Sequence, residues 1–206
     1  MEPHRGAGAD RVAFASKFVE GRLQGFKKDI AICLTDTRVH GGLTHAYFPA
    51  LGSCCGTIEY LAGLYEGRLQ DLGFQHWWAF AQKYLGDAYD NDRMRVLYQA
   101  FRHSIAHRGI ASGIWVDRHD NALGRRTTWE ISELNVAPAI SVVVSPGGKL
   151  VSDPPWETPY THRVYVHVGR LAQDIVDAAS RYVLDLIASD LMLDHFYQCM
   201  EELYPR

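Results

Sequence analysis

Residues 97–109 have the sequence LYQAFRHSIAHRG. Every fourth residue from the start of this stretch is apolar: Leu97, Phe101 and Ile105. Side chains four residues apart lie on one face of an α-helix, so the stretch predicts a helix that packs this face into a core. The stretch also carries one guanidinium and two imidazoles: Arg102, His103 and His107. Because arginine binds phosphate and histidine titrates near neutral pH, these residues are typical of a site for phosphate chemistry.

The spacing between Arg102 and His107 requires a change in the helix near its end. Residues five apart on an ideal helix point about 140° away from each other, so the two side chains would not share a face. Gly109 follows two residues after His107 and suits the left-handed conformation in which many helices end. We expect the last turn to loosen there and to let the His107 side chain turn toward Arg102. The negative end of the helix dipole favours a protonated imidazole, and the arginine offsets its repulsion of phosphate.

The motif resembles that of the HEPN family, a group of small helical-bundle domains found in toxins, abortive-infection systems and RNA-processing proteins. The family signature is an Arg, then Asn, Asp or His, then a few residues and a His, at the end of a long helix. Arg102, His103 and His107 match this signature position for position. The match is close over residues 97–109, looser over the preceding helices, and says little about residues 110–163.

The resemblance implies a metal-independent endoribonuclease that acts as a homodimer, in a toxin–antitoxin or defence setting. Attack by the 2′-hydroxyl of RNA needs a base, an acid and a cation for the crowded phosphorane, and it leaves 2′,3′-cyclic phosphate ends. Arg102 suits the role of the cation, whereas one His107 cannot be base and acid in the same step. HEPN domains commonly dimerise with their motifs facing each other, so a second chain would supply the other imidazole. His103 is expected to support the site or to transfer a proton, no cofactor is expected, and a cognate inhibitor protein is a further candidate partner.

Two other functions fit the same residues. The HEPN bundle also occurs in non-catalytic modules that bind a nucleotide, RNA or a partner protein, and the presence of the motif favours activity without proving it. His103 and His107 are also four residues apart, the spacing of two metal ligands on one helical face. Ser104 follows His103 where metalloprotease motifs have Glu, and no third ligand follows, so the metal site is the weaker hypothesis.

Two residues near the motif are candidates for a supporting role. Glu59 lies beside the apolar stripe of the second predicted helix, where HEPN proteins often place a polar group. It either forms a salt bridge that orients Arg102 or remains an exposed helix charge. Tyr98 precedes Arg102 by one turn, and it either hydrogen-bonds near the site or is a half-buried core tyrosine.

A basic stretch in the predicted β region offers a second contact with substrate. It contains Arg118, His119, Arg125 and Arg126. We expect Arg125 and Arg126 to bind the phosphate backbone of RNA, although such charge runs are more often solvated loops. The net charge of -3 does not indicate a nucleic-acid-binding protein, so attraction would depend on a local patch of this kind.

The composition is that of an ordinary globular domain, with 47% apolar and 22% charged residues in a chain of 206. No apolar run reaches the roughly 18 residues of a membrane span, and the N-terminus has no apolar signal core. We therefore expect a cytoplasmic protein without membrane contact. The four cysteines form no C-x-x-C pair and are expected to be reduced and buried: Cys33, Cys54, Cys55 and Cys199.

The periodicity predicts a mainly α protein, an up-and-down bundle of about five to six helices with a small antiparallel β insertion over residues 110–163. The predicted order begins with a flexible N-terminus over residues 1–9 and a helix from near Asp10. A second helix over about 47–65 is closed by Gly67, and a third covers about 74–85. The motif helix, capped by Asn91 or Asp92, comes next, and it is followed after the β insertion by helices from about Val164 and over about 191–203. Pro146-Gly147-Gly148 predicts a hairpin turn inside the insertion. Residues 1–206 are interpreted as one HEPN-like domain.

Overall fold

A computed structural model describes residues 5–36, 45–111, 113–117, 125–152 and 156–205. The structure is mainly helical with a small mixed sheet. The helices are α1 (Arg5–Cys33), α2 (Tyr47–Glu66), α3 (Phe74–Tyr84), α4 (Asn91–Arg95), α5 (His103–Arg108), α6 (Val168–Ala188) and α7 (Asp190–Leu203). A π-helical segment, Val96–Arg102, joins α4 to α5. These three parts form one continuous helix, the motif helix, so the described residues form six helices.

Helix α6 organises the helical core because one of its faces is apolar along its whole length. Its buried residues recur every three or four positions and include Val168, Leu171, Ile175, Ala178, Tyr182 and Leu186. The valine, leucine and isoleucine side chains among them contribute about 1.5–3 kcal/mol each when they are fully buried. Helices α1, α2, α3 and α7 all contact α6, and α2 also contacts the motif helix. The apolar stripe of the motif helix is confirmed, since Leu97 and Phe101 are fully buried.

The helix boundaries follow the sequence predictions closely in the middle of the chain and less well elsewhere. Helix α1 begins at Arg5 rather than near Asp10, so residues 5–9 are helical where the sequence predicts a flexible terminus. Residues 1–4, the rest of that predicted terminus, lie outside the described residues. Helix α6 begins at Val168 because residues 164–167, which share its apolar character, belong to the last strand.

The predicted ends of two helices are confirmed, and the predicted N-cap of the motif helix is wrong. Gly67 and Gly109 adopt left-handed conformations, with φ of 76° and 73°, directly after α2 and the motif helix. The N-cap of the motif helix is Asp90, whose side chain accepts a hydrogen bond from the backbone N–H of Arg93 at 2.8 Å. The predicted caps, Asn91 and Asp92, already lie inside the first turn.

The sheet contains four strands in the order β1, β2, β4, β3. These are β1 (Trp115–Asp117), β2 (Arg125–Ser132), β3 (Ile140–Ser152) and β4 (Trp156–His167). Strands β1 and β2 are antiparallel, and so are β3 and β4, but β2 and β4 are parallel. The predicted antiparallel insertion is therefore wrong in topology. After β2 the chain forms β3 at the far edge and returns as β4 between the two, which makes β4 run in the same direction as β2.

Strand β3 also corrects the predicted hairpin turn at Pro146-Gly147-Gly148. These residues lie inside β3, where the register with β4 shifts between Val144 and Gly148. Gly147 has a φ of 71°, a conformation that glycine adopts without strain. The glycine signal thus marks a bulge in a long strand rather than the end of a strand.

The sheet packs against the motif helix and helps to build the core. Ile140, Val164 and Val166 are buried, and the ring of Trp129 lies 5.4 Å from that of Phe48 and 6.4 Å from that of Phe101. The β insertion therefore lies beside the motif helix.

No helix among the described residues is both long enough and apolar enough to cross a membrane.

Candidate functional site

The motif helix contains a π-helical segment directly before the motif. The backbone N–H of His103 donates to the carbonyl of Tyr98, five residues earlier, in place of the usual bond to the fourth residue. The segment ends at Arg102, so the motif straddles the change from π to α geometry. Such insertions of one residue into a helical turn are frequent at functional sites. The stretch has no Pro or Gly before residue 109, and nothing in its periodicity predicts this segment.

Arg102 is held by Glu59 of helix α2. The guanidinium donates from Nε to Oε2 of Glu59 at 3.0 Å and from Nη2 to Oε1 at 2.5 Å. Both side chains are 26% exposed, so the pair lies at the edge of the core rather than inside it. The hydrogen bond to Glu59 raises the pKa of Arg102. Of the two alternatives for Glu59, the structure therefore contains the salt bridge that orients Arg102.

Tyr98 contacts the same guanidinium with the face of its ring and also packs into the core. The guanidinium carbon Cζ of Arg102 lies 5.5 Å from the centre of the Tyr98 ring, within the range of a cation–π contact. The ring also packs edge-on against Trp77 at 5.2 Å and Phe74 at 5.9 Å. Its hydroxyl donates to the carbonyl of Leu72 at 3.3 Å. Tyr98 is thus a half-buried core tyrosine that also contacts the site.

The two imidazoles of the motif lie beside each other on the last turns of the helix. The ring centres of His103 and His107 are 4.5 Å apart, and both residues are exposed. The described contacts of Arg102 are with Glu59 and Tyr98, whereas the described contact of His107 is with His103. The expected turn of His107 toward Arg102 is therefore not among the described contacts. Glu59 draws Arg102 toward α2, and α5 keeps regular helical geometry beyond it.

A groove of about 600 Å³ runs between the motif helix and strand β1. Its lining comprises Tyr98, Gln99, His103, Ser104, Arg108, Ile114, Trp115 and Val116. Trp115 is half-buried and packs against the hydrophobic core as well as lining the groove. Trp115 lies within the predicted β insertion, and the sequence alone assigns it no role. Only the packing of β1 beside the motif helix brings this aromatic residue to the site.

Arg125 and Arg126 lie at the start of β2 and contact other parts of the protein. Nη1 of Arg125 lies 3.2 Å from the carboxylate of Asp92, near the start of the motif helix. Nε of Arg126 donates to the carbonyl of Pro159 at 2.8 Å. The role of both residues in substrate binding stays a prediction. The other two members of the basic stretch, at positions 118 and 119, lie outside the described residues.

Neither the cysteines nor the histidines assemble a metal site in the described part of the chain, which contains no group of three or more His, Cys, Asp or Glu residues placed to hold an ion. Cys54 and Cys55 are buried within α2, as predicted. Burial raises the pKa of the Cys55 thiol to about 12 and that of Cys54 well above its ordinary value. Such thiols stay protonated and unreactive at neutral pH.

The site as a whole combines a fixed cation with two exposed imidazoles and an adjacent groove. Arg102 supplies a charge whose direction is set by Glu59, and His103 and His107 supply two adjacent imidazoles. The groove adds aromatic and polar surface beside them. Comparison with protein-family models, with curated proteins and with solved structures finds no match for this chain.

Proposed function

We propose that the chain is an up-and-down HEPN-like bundle that binds RNA in the cytoplasm and cleaves it without a metal ion, as a homodimer. The observation that carries this proposal is the two-point hydrogen bond between Arg102 and Glu59 beside the exposed imidazoles of His103 and His107. A guanidinium held in this way presents its remaining N–H groups in a fixed direction, which suits the recognition of a phosphoryl group.

Some N–H donors of Arg102 bind Glu59, and the others are available to a substrate. An arginine side chain has five N–H donors, and the described contacts with Glu59 use Nε and Nη2. The group on Nη1 is left to bind a phosphoryl oxygen. Because the guanidinium does not lose its proton in the physiological range, it can stabilise the extra charge of a phosphorane at any pH at which RNA is stable.

The proton transfers of the reaction require two imidazoles in different states. A base takes the proton of the 2′-hydroxyl as that oxygen attacks phosphorus, and an acid protonates the 5′-oxygen as its bond to phosphorus breaks. The products are a 2′,3′-cyclic phosphate and a 5′-hydroxyl, and no atom from a metal or cofactor is involved. We assign these roles to His107 of each of two chains, with His103 supporting its neighbour at 4.5 Å.

The proposal is tested by incubating labelled RNA with the wild-type protein and with two variants, Arg102→Ala and His107→Ala. We expect cleavage by the wild type with cyclic phosphate ends, no cleavage by either variant, and no effect of EDTA. Arg11→Ala is the matched control because Arg11 also forms an ion pair, with Asp194 at 3.2 Å, on another surface of the protein. Inhibition of the wild type by EDTA, or full activity of either motif variant, would contradict the proposal.

A non-catalytic module that binds a nucleotide or RNA is the alternative function. The observation that favours it is the separation of contacts within one chain, where Arg102 contacts Glu59 and His107 contacts His103. The same assay distinguishes the two functions. RNA that is bound by the wild type and by His107→Ala with similar affinity, but that is cleaved by neither, would establish the binding module instead.

A further inference from the structure

We propose that the groove between the motif helix and β1 is a nucleotide subsite, in which the base of a single-stranded RNA residue stacks on Trp115. This inference rests on the proposed function because it names the part of the substrate that lies next to the motif. The groove has a volume of about 600 Å³, within the roughly 300–1,000 Å³ that is usual for sites that enclose a small ligand.

Trp115 meets the physical requirements of a stacking platform. It is half-buried and packs against the hydrophobic core, and it also lines the groove. A ring held in this way has already lost most of its side-chain freedom before a base arrives, so stacking costs little further entropy. Stacking on an aromatic ring accepts any base, because every base has a π face.

The remaining lining of the groove is polar and matches the rest of a nucleotide. Gln99 and His103 line it, and neither forms a hydrogen bond with another described residue. The amide of Gln99 can donate to and accept from a base edge, the imidazole of His103 offers a further hydrogen-bonding group, and the guanidinium of Arg108 adds positive charge to the lining. A purely apolar ligand would leave the amide of Gln99 and the imidazole of His103 without a hydrogen-bond partner, which argues for a nucleotide.

The groove is continuous with the motif. Tyr98 lines the groove, and its ring lies 5.5 Å from the charged carbon of Arg102. His103 also lines it, and its ring lies 4.5 Å from that of His107. A nucleotide in the groove therefore has its neighbouring phosphate beside the residues proposed to cleave it. Binding in the groove thereby determines which nucleotide of the RNA lies next to the bond that is cleaved.

The test measures binding separately from cleavage. A fluorescently labelled 2′-O-methyl RNA oligomer of mixed sequence cannot be cleaved by its own 2′-oxygen, and its binding is measured by anisotropy at fixed salt. We expect Trp115→Ala to weaken binding about tenfold and Trp115→Phe to bind nearly as well as the wild type, since phenylalanine retains a π face. Val144→Ala, which removes an exposed apolar side chain of β3, is the matched control and is expected to bind like the wild type.

A second variant makes the test independent of the packing of Trp115. Gln99→Leu keeps the approximate size of the side chain and removes the amide that would hydrogen-bond to the RNA base. We expect the affinity for the oligomer to fall about fivefold. If neither Trp115→Ala nor Gln99→Leu changes the dissociation constant while His107→Ala abolishes cleavage, the subsite is wrong and the nuclease stands. If binding depends on Trp115 but the wild type cleaves no RNA, the nuclease is wrong and the subsite stands.

Discussion

Two polar clusters in this protein each contain a cation, a carboxylate and a tyrosine, but their hydrogen bonds differ. One, the motif cluster, consists of Arg102, Glu59 and Tyr98, and the other, the α3–α6 cluster, consists of Lys83, Asp185 and Tyr84. Each joins two helices through an ion pair, and in each the cation lies over the tyrosine ring, at 5.5 Å for Arg102 and 5.1 Å for Lys83. The residue types alone would therefore suggest the same role for both.

The difference lies in where the tyrosine hydroxyl points. In the α3–α6 cluster, the same oxygen of Asp185 accepts from Lys83 at 2.7 Å and from the hydroxyl of Tyr84 at 2.9 Å, so the tyrosine hydroxyl is part of the ion pair. In the motif cluster the hydroxyl of Tyr98 donates away from the ion pair, and the described contacts of Glu59 are with Arg102 alone. Both ion pairs join two helices, and in the motif cluster the tyrosine that contacts the cation also lines the groove.

The largest expected difference between the clusters is in the response to exchanging the cation. Arg102→Lys keeps the charge but loses the planar fork, so one amine cannot bind Glu59 at two points and a phosphoryl group as well. We expect the rate of RNA cleavage to fall at least about 100-fold, the usual effect of losing an aligned donor. Lys83→Arg, the matched exchange in the α3–α6 cluster, should leave the rate within about twofold. A rate for Arg102→Lys near that of the wild type would remove the distinction between the clusters.

The second largest expected difference is in the response to neutralising the carboxylate of each cluster. Under the proposed function Glu59 positions the guanidinium of Arg102, so Glu59→Gln is expected to lower kcat about tenfold, to change KM less, and to lower the free energy of unfolding by about 1 kcal/mol or less. Asp185→Asn should change stability by a similar amount and leave kcat unaltered. Steady-state kinetics and urea denaturation of both variants separate the two effects. Equal losses of kcat in both variants would mean that neither carboxylate acts through its cation.

The tyrosine hydroxyls should matter only for stability. Tyr98→Phe removes the hydrogen bond to Leu72 and keeps the ring below Arg102, so we expect a loss of about 0.5–1 kcal/mol in the free energy of unfolding. The rate of cleavage should stay unchanged because the cation–π contact is intact. Thermal denaturation and the cleavage assay check the two expectations, and slower cleavage by Tyr98→Phe would assign the hydroxyl to the site itself.

The smallest expected effect is a pH dependence in the α3–α6 cluster. The hydrogen bonds from Lys83 and Tyr84 hold the pKa of Asp185 below its ordinary value. Since the unfolded pKa of Asp is about 3.9, this stabilisation is present above that pH and is lost as the pH falls through the lower folded value. Asp185 is 40% exposed, so solvent screening limits the effect to about 0.5 kcal/mol. Asp185→Asn should therefore reduce the pH dependence of the free energy of unfolding between about pH 5 and pH 2. An unchanged pH dependence would show that solvent fully screens the Lys83–Asp185 pair.

How much could be predicted from the sequence depends on the range of the interactions. The limits of α2, the left-handed ends at Gly67 and Gly109 and the buried face of Leu97 and Phe101 follow from residues near each other in the chain. Local preferences and periodicity are enough to predict these features. The motif itself and the two alternatives for Glu59 are also visible in the sequence, but the choice between those alternatives is not.

The features that the sequence did not predict depend on contacts between distant segments. The parallel pairing of β2 with β4 depends on which strand occupies the middle of the sheet, and alternating side chains do not encode that choice. The π-helical segment contains no residue that marks it, and we attribute it to the packing of the motif helix against its neighbours. Trp115 becomes part of the site only because β1 lies beside the motif helix.

The sequence by itself determined that the chain is mainly helical, which faces of its helices are buried, and which three residues carry the motif, because these properties reside in spacing along one segment. Only the tertiary structure decided that Arg102 is held by Glu59, that His107 lies against His103, and that a groove opens beside them. The physical reason is that each of these contacts depends on the relative positions and rotations of whole helices. The burial of many side chains sets those positions together, and no single segment encodes them.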